Sequence, residues 1–167
     1  MEVERTWNNN FSGINVVDLI IVCSITDEIF FNGEHGFAQC LKFVGIPYLF
    51  ISTNPTLTLS QSYNSIVKTN YEDVKNSKYV TFVSQDSPIR EIDWGRKLID
   101  ICDSLPDFGY GGLVCVKENC GFIKTTLPSK CESCDAFFIV IPSKLFLENQ
   151  FDEQFPWYPF AETIWKE

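Results

Sequence analysis

The sequence predicts an α/β fold: a single domain over residues 1–167, with helices covering both faces of a mainly parallel sheet. Three observations point there. Residues 16–25 are an almost unbroken apolar run rich in Val and Ile, the mark of a strand buried on both faces. Strand-like and helix-like segments then alternate, which argues for crossover connections between parallel strands. A chain of 167 residues, 45% of them hydrophobic, can bury one good core.

The elements follow in order. Residues 1–13, with three consecutive Asn and Gly13, read as an irregular lead-in to the first strand at 16–25. Residues 34–44 carry Phe37, Cys40, Leu41 and Val44 at helical spacing, with Gly45 and Pro47 as stop signals. A second strand at 48–51 ends in the turn-rich "STNPT". Ser60 can cap a short helix whose Tyr63, Ile66 and Val67 share a face. The third strand is 79–83. Asp93 can cap the next helix, with Trp94, Leu98, Ile101, Cys102 and Leu105 on one side, and a loop at 106–112 leads to a strand at 113–116. Residues 117–134 read as a cysteine-bearing excursion or hairpin, and "AFFIVI" at 136–141 as another buried strand closed by Pro142. The tail beyond is rich in aromatics and acids and has no clear period.

Right-handed crossovers place the carboxyl ends of parallel strands along one edge, where open α/β sheets bind their ligands. "CSITDE", "STNPT" and "SQDS" all fall at such ends and should face one crevice. Asp86 is the leading candidate within it. A lone carboxylate after a strand suits Mg²⁺ or Mn²⁺ shared with substrate phosphates, although it can also cap the turn before Pro88.

Charge and composition narrow the partners. A formal charge of −9 and a pI near 4.6 argue against binding nucleic acid, since the 13 basic residues are scattered. No run approaches the roughly 18 apolar residues of a membrane span, and the acidic start is unlike a signal peptide, so the expectation is a soluble, cytoplasmic protein with no integral membrane segment. Of seven cysteines, Cys23, Cys40 and Cys102 sit in apolar surroundings and read as small core residues. Cys115, Cys120, Cys131 and Cys134 could hold a structural zinc, form disulfides, or be four thiols that lie near one another. The C-x-x-C of Cys131 and Cys134 precedes a strand rather than a helix, which disfavours redox catalysis. His35 is the sole histidine and no nucleophile elbow accompanies it, so a hydrolase centre is not expected.

Taken in order, "LSQSYNSIV", "YVTFVSQDSPI", Trp94, "FGYGGLVCV", "CDAFFIVIP" and "FDEQFPWYPFAE" resemble glycosyltransferases of the GT-A fold, in the family-two-like branch with a His-Gln-Asp acidic motif. The likeness spans about residues 16–162 and rests on the ordered set rather than on any one motif. It implies a nucleotide-diphospho-sugar transferase fold and transfer of a sugar from a UDP- or GDP-linked donor to a hydroxyl acceptor, with Mn²⁺ or Mg²⁺ as cofactor. Asp86 would hold the metal–diphosphate, beside Gln85 as the motif glutamine, with Ser84 standing where the histidine is expected. Asn64 would face the nucleotide; Thr26, Asp27, Thr53 and Asn54 would contact base and ribose. Asp135 would shape the donor-sugar and acceptor pocket, or else be a turn acid. Glu162 falls near the place of the catalytic base, though an exposed solvated acid there is the other reading, while Asp152 and Glu153 would orient the loop. Pro159 and Ala161 replace the usual His and Tyr, which implies a remodelled or lost acceptor site.

The alternative class is a protein of this fold that binds without turnover, or a zinc-stabilised interaction domain. The aromatics Phe155, Trp157, Tyr158, Phe160 and Trp165 read as a packed core edge or as the interface of a partner subunit, such as a second copy in a homodimer.

Overall fold

The computed structural model describes residues 3–8, 17–53, 58–87, 89, 91–112, 117–118, 121–122 and 138–154. The strands are β1 (Val3–Asn8), β2 (Leu19–Ser24), β3 (Tyr48–Thr53), β4 (Tyr79–Ser84), β5 (Gly111–Gly112), β6 (Lys117–Glu118), β7 (Gly121–Phe122) and β8 (Phe138–Pro142). The helices are α1 (Glu28–Asn32), a 3-10 helix Phe37–Phe43, α2 (Leu59–Thr69), α3 (Tyr71–Lys75), α4 (Trp94–Ser104) and α5 (Ser143–Glu148). Among these residues, no helix is long and apolar enough to cross a membrane.

The class is α/β, and the sheet is mixed. Its order is β1-β3-β2-β4-β8-β5, while β6 and β7 form a separate hairpin within the cysteine-bearing excursion. Parallel pairing is confined to β3-β2-β4; β1 runs against β3, and β8 runs against both β4 and β5. The lead-in expected to be irregular therefore supplies an edge strand. Alternation along it gave no signal because "VERTWN" mixes charged, polar and aromatic residues. The expected strand at 113–116 lies outside the described residues.

All six residues of β2 are buried, which explains its nearly unbroken apolar run: it is the central strand and is covered on both faces. Leu19, Ile21 and Cys23 pack with Phe37, Cys40, Trp94, Ile99 and Cys102 under the 3-10 helix and α4. Ile20 and Val22 pack with Tyr63, Ile66 and Val67 of α2, Val74 of α3 and Phe146 of α5. Cys23, Cys40 and Cys102 are buried in the core, as their surroundings predict.

Three local expectations are corrected. The helix expected at 34–44 is a 3-10 helix confined to Phe37–Phe43, and α1, which the sequence did not reveal, precedes it. Asp27 starts α1 by accepting from Phe30 N at 2.9 Å, and the chain then turns through Gly36, where an added Cβ would stand 2.1 Å from the Phe31 carbonyl oxygen. Thr58, not Ser60, caps α2: its Oγ1 accepts from Gln61 N and Gln61 Oε1 accepts from Thr58 N, both at 3.3 Å. Ser60 is fully buried inside the helix. Asp93 occupies the N-cap of α4, but with φ 59 and no side-chain cap bond. The Val44 carbonyl oxygen caps this helix instead, accepting from Gly95 N at 2.9 Å and Arg96 N at 3.3 Å. Close approach at Gly95, where a Cβ would stand 2.5 Å from Val44 Cγ1, turns the helix so that Gly95, Ile99 and Cys102 face the core. Ile101 and Leu105, expected on that face, are 43% and 37% exposed.

Candidate functional site

The three parallel strands end together. Ser24 of β2 stands in register with Thr53 of β3 on one side and Ser84 of β4 on the other. Beyond that row the paths diverge. The chain leaves β2 toward the face of the 3-10 helix and α4, whereas from β3 it goes to α2 on the opposite face. Diverging connections at adjacent strand ends create the crevice in which ligands of open α/β sheets bind.

The turn after β4 carries the expected acid. Ser87 N donates to the Ser84 carbonyl oxygen at 3.1 Å, closing a turn with Gln85 and Asp86 at its tip. Asp86 is exposed, and the Ser84 hydroxyl donates to its Oδ1. Ser84 therefore orients the carboxylate. The Asp86 charge reaches into the core: the Cys23 thiol and the Tyr63 phenol are both pushed up, chiefly by burial and additionally by Asp86, with Cys23 ranking ahead of Asp86 for Tyr63. The Tyr63 phenol donates to the Val83 carbonyl oxygen at 3.4 Å, tying α2 to the end of β4.

Gln85 joins the turn after β4 to the turn after β2. Its Oε1 accepts from Thr26 N at 2.8 Å and Asp27 N at 3.1 Å, and its Nε2 donates to Thr26 Oγ1 at 2.9 Å. The two main-chain donors fix which end of the amide is oxygen. Its own carbonyl oxygen accepts from Phe37 N at 3.0 Å, anchoring the 3-10 helix to the same point. Thr26, Asp27, Gln85 and Asp86 are thus brought together as expected. Asp27 and Gln85, however, use their polar groups inside the protein, Asp27 as the cap of α1.

Asn64 departs from its expected place facing a nucleotide. It is buried on α2, where its Nδ2 donates to the Phe151 carbonyl oxygen at 2.7 Å and to Glu153 Oε1 at 3.1 Å, and its Oδ1 accepts from Phe151 N at 3.1 Å. Both ends of its amide are engaged with the segment that follows α5. Asp152 Oδ1 accepts from Gln154 N at 2.9 Å, so this acid shapes its own loop, as expected.

Thr53 enters only through its backbone register, since its side chain lies outside the described residues. So do Asn54, Asp135, Glu162 and the cysteines 115, 120, 131 and 134. Within the described residues, no group of three His, Cys, Asp or Glu side chains is placed to hold a metal ion.

Sequence reading missed the hydroxyl of Ser24, which is buried at the end of β2 with no hydrogen-bond partner among the described residues. Its signal was the polar residue that closes an otherwise apolar run. Compared with protein-family models, curated proteins and solved structures, the chain matches none of them.

Proposed function

We propose that the chain binds a nucleotide sugar with a divalent cation at the carboxyl edge of β2, β3 and β4, and transfers the sugar to a hydroxyl acceptor in the manner of GT-A glycosyltransferases. The observation that carries this reading is Asp86: an exposed carboxylate on a tight turn at the end of a core strand, oriented by Ser84. The resemblance of the ordered motifs supplies the reaction, and the diverging strand ends supply room for a ligand.

The donor set fits Mg²⁺ or Mn²⁺ of a particular kind. One carboxylate with hydroxyls nearby is too little to hold the ion alone, but Mg²⁺ and Mn²⁺ are commonly held by one or two carboxylates plus substrate phosphates and water. Asp86 would hold the ion and Ser84 would hold Asp86. A bound ion there would neutralise charge on the departing diphosphate. The ion and the nucleotide should therefore bind together, and neither well alone.

Calorimetric titration of UDP and GDP, with and without Mn²⁺, tests the reading on the wild type and on Asp86→Ala. The expected result is binding of one nucleotide that needs Mn²⁺ and falls at least about 100-fold, roughly 2.7 kcal/mol, in Asp86→Ala. Folded wild-type protein that binds neither nucleotide under any metal would overturn it. Binding of nucleotide sugars with no turnover against any hydroxyl acceptor would leave a binding module in place of an enzyme.

A further inference from the structure

We propose that Gln85 and Thr26 form a strut that fixes Asp86 for the cation and diphosphate, acting as positioning residues that do not touch the ligand. This rests on the glycosyl-transfer reading for the identity of the ligand, and on geometry alone for the strut.

A carboxylate on a four-residue turn is free to drift unless something outside the turn holds it. The internal bond from Ser87 N to the Ser84 carbonyl oxygen gives the turn its shape but does not fix its position. Position comes from Gln85 on one side, while on the other Cys40 Sγ donates to the carbonyl oxygen of buried Ser87 at 3.6 Å. The Gln85 side chain reaches the loop after β2 through three bonds of 2.8, 3.1 and 2.9 Å, and its backbone holds Phe37 N at 3.0 Å. Four bonds thus converge on the residue next to Asp86, from two segments that belong to neither β4 nor its turn.

Both lone pairs of Gln85 Oε1 are occupied by main-chain donors, so this oxygen has none left for a ligand hydroxyl. One Nε2 hydrogen is likewise spent on Thr26 Oγ1, so three of the four hydrogen-bonding positions of the side chain serve the strut, which points to a mechanical role. The loops after β2 and β4 become one wall of the crevice, and Asp86 rides on it. A pre-placed carboxylate need not be ordered when the ion arrives, which is how a remote contact becomes affinity.

Variants at the two ends of the strut separate this role from its rivals. Gln85→Ala removes the whole side-chain link. Gln85→Glu keeps an acceptor for both main-chain donors, and Thr26→Val removes only the hydroxyl end. Nucleotide titrations in Mn²⁺ should show Gln85→Ala weakened about tenfold, Gln85→Glu restored to within about threefold of wild type, and Thr26→Val between them. The Mn²⁺ concentration needed for half-maximal nucleotide binding should rise in the same order. The decisive measurement is the double variant: in an Asp86→Ala background, Gln85→Ala should cost nothing further, because the strut acts only through Asp86.

Losses that simply add would make Gln85 an independent ligand contact and overturn the proposal. So would wild-type binding by Gln85→Ala. If the wild type binds no nucleotide, the glycosyl-transfer reading fails by itself, and amide exchange then judges the strut. The Thr26 and Asp27 amides should be protected in wild type and Gln85→Glu but not in Gln85→Ala, and equal exchange in all three removes the strut.

Discussion

The two ends of β4 are built on opposite principles. At its amino end the polar groups are tied together. Asp103 of α4 accepts from Lys78 Nζ at 2.6 Å and from the Tyr79 hydroxyl at 2.9 Å; Ser143 N donates to the Lys78 carbonyl oxygen at 2.9 Å, and the Ser77 and Ser143 hydroxyls lie 2.7 Å apart. This network joins α4, α5 and the chain entering β4. At the carboxyl end, in register with Ser84, the Ser24 hydroxyl of β2 is buried without a partner among the described residues, and Asp86 projects into solvent with one oxygen held by Ser84. A buried hydroxyl without a hydrogen bond is uncommon in folded proteins and calls for an explanation. The amino end is closed by its own polar groups, whereas the carboxyl end is left open, as the proposed ligand site requires.

The strongest way to break this contrast is Asn64→Ala, because Asn64 is a polar group of the α2 layer that the comparison assigns to structure. Its amide holds both the N–H and the carbonyl of Phe151, whose ring packs against Tyr63, Phe82 and Phe146 at centroid distances of 6.0, 4.9 and 5.0 Å. Removing it withdraws two bonds from buried backbone groups and leaves a gap beside the aromatic cluster. The expected loss is about 2–3 kcal/mol, read as a lower urea midpoint and a Tm lower by about 5–10 °C. Nucleotide binding per folded molecule should be unchanged. A variant of wild-type stability that no longer binds nucleotide would return Asn64 to the ligand.

How much of this was legible depended on whether the signal was local. The buried strands β2, β4 and β8 could be read because burial on both faces writes itself as consecutive apolar residues. The apolar face of α2 could be read because Tyr63, Ile66 and Val67 repeat at the helical period. The direction of β8 could not, since an apolar run carries no direction, and the structure sets it antiparallel to β4. Short α3 and α5 escaped because five or six residues are too few to show a period. In the site, Asp86 was legible as a carboxylate ending a strand. The partners of Gln85 and Asn64 were not: a sequence names an amide but not which backbone groups, 59 or 87 residues away, will engage it.

The amino-end network sharpens the comparison through pH. The Asp103 carboxyl is held below its ordinary range first by the Lys78 bond and then by the Tyr79 hydroxyl. A carboxyl depressed in the folded state contributes stability that is present above its unfolded pKa and is lost as pH falls through the folded one. Wild type should therefore lose this contribution progressively below about pH 4. Lys78 and Asp103 are about half exposed, so screening by solvent limits the effect, and Asp103→Asn should cost about 1 kcal/mol at pH 7. The stability difference between wild type and Asp103→Asn, followed by urea unfolding, should shrink as pH drops from 5 to about 3. A difference that stays constant with pH would mean that the carboxylate charge is irrelevant and that only the shape of the side chain matters there.

The smallest effect carries the sharpest control on how orphaned hydroxyls are interpreted. Thr81 lies in the middle of β4, fully buried on the face packed by α4, and its Oγ1 has no partner among the described residues. Thr81→Val keeps the branched shape and removes only the hydroxyl, so the protein should become more stable by up to about 1 kcal/mol, with Tm higher by about 2–4 °C and nucleotide binding unchanged. A destabilised variant would show that an internal water satisfies the hydroxyl and that the pocket around it is polar. The stabilising outcome bears directly on Ser24. It would establish that a strand of this sheet tolerates an unpaired hydroxyl for no ligand's sake, so that the meaning of Ser24 derives from where it stands, at the divergence of β2 and β3 beside Ser84, and not from its lack of a partner.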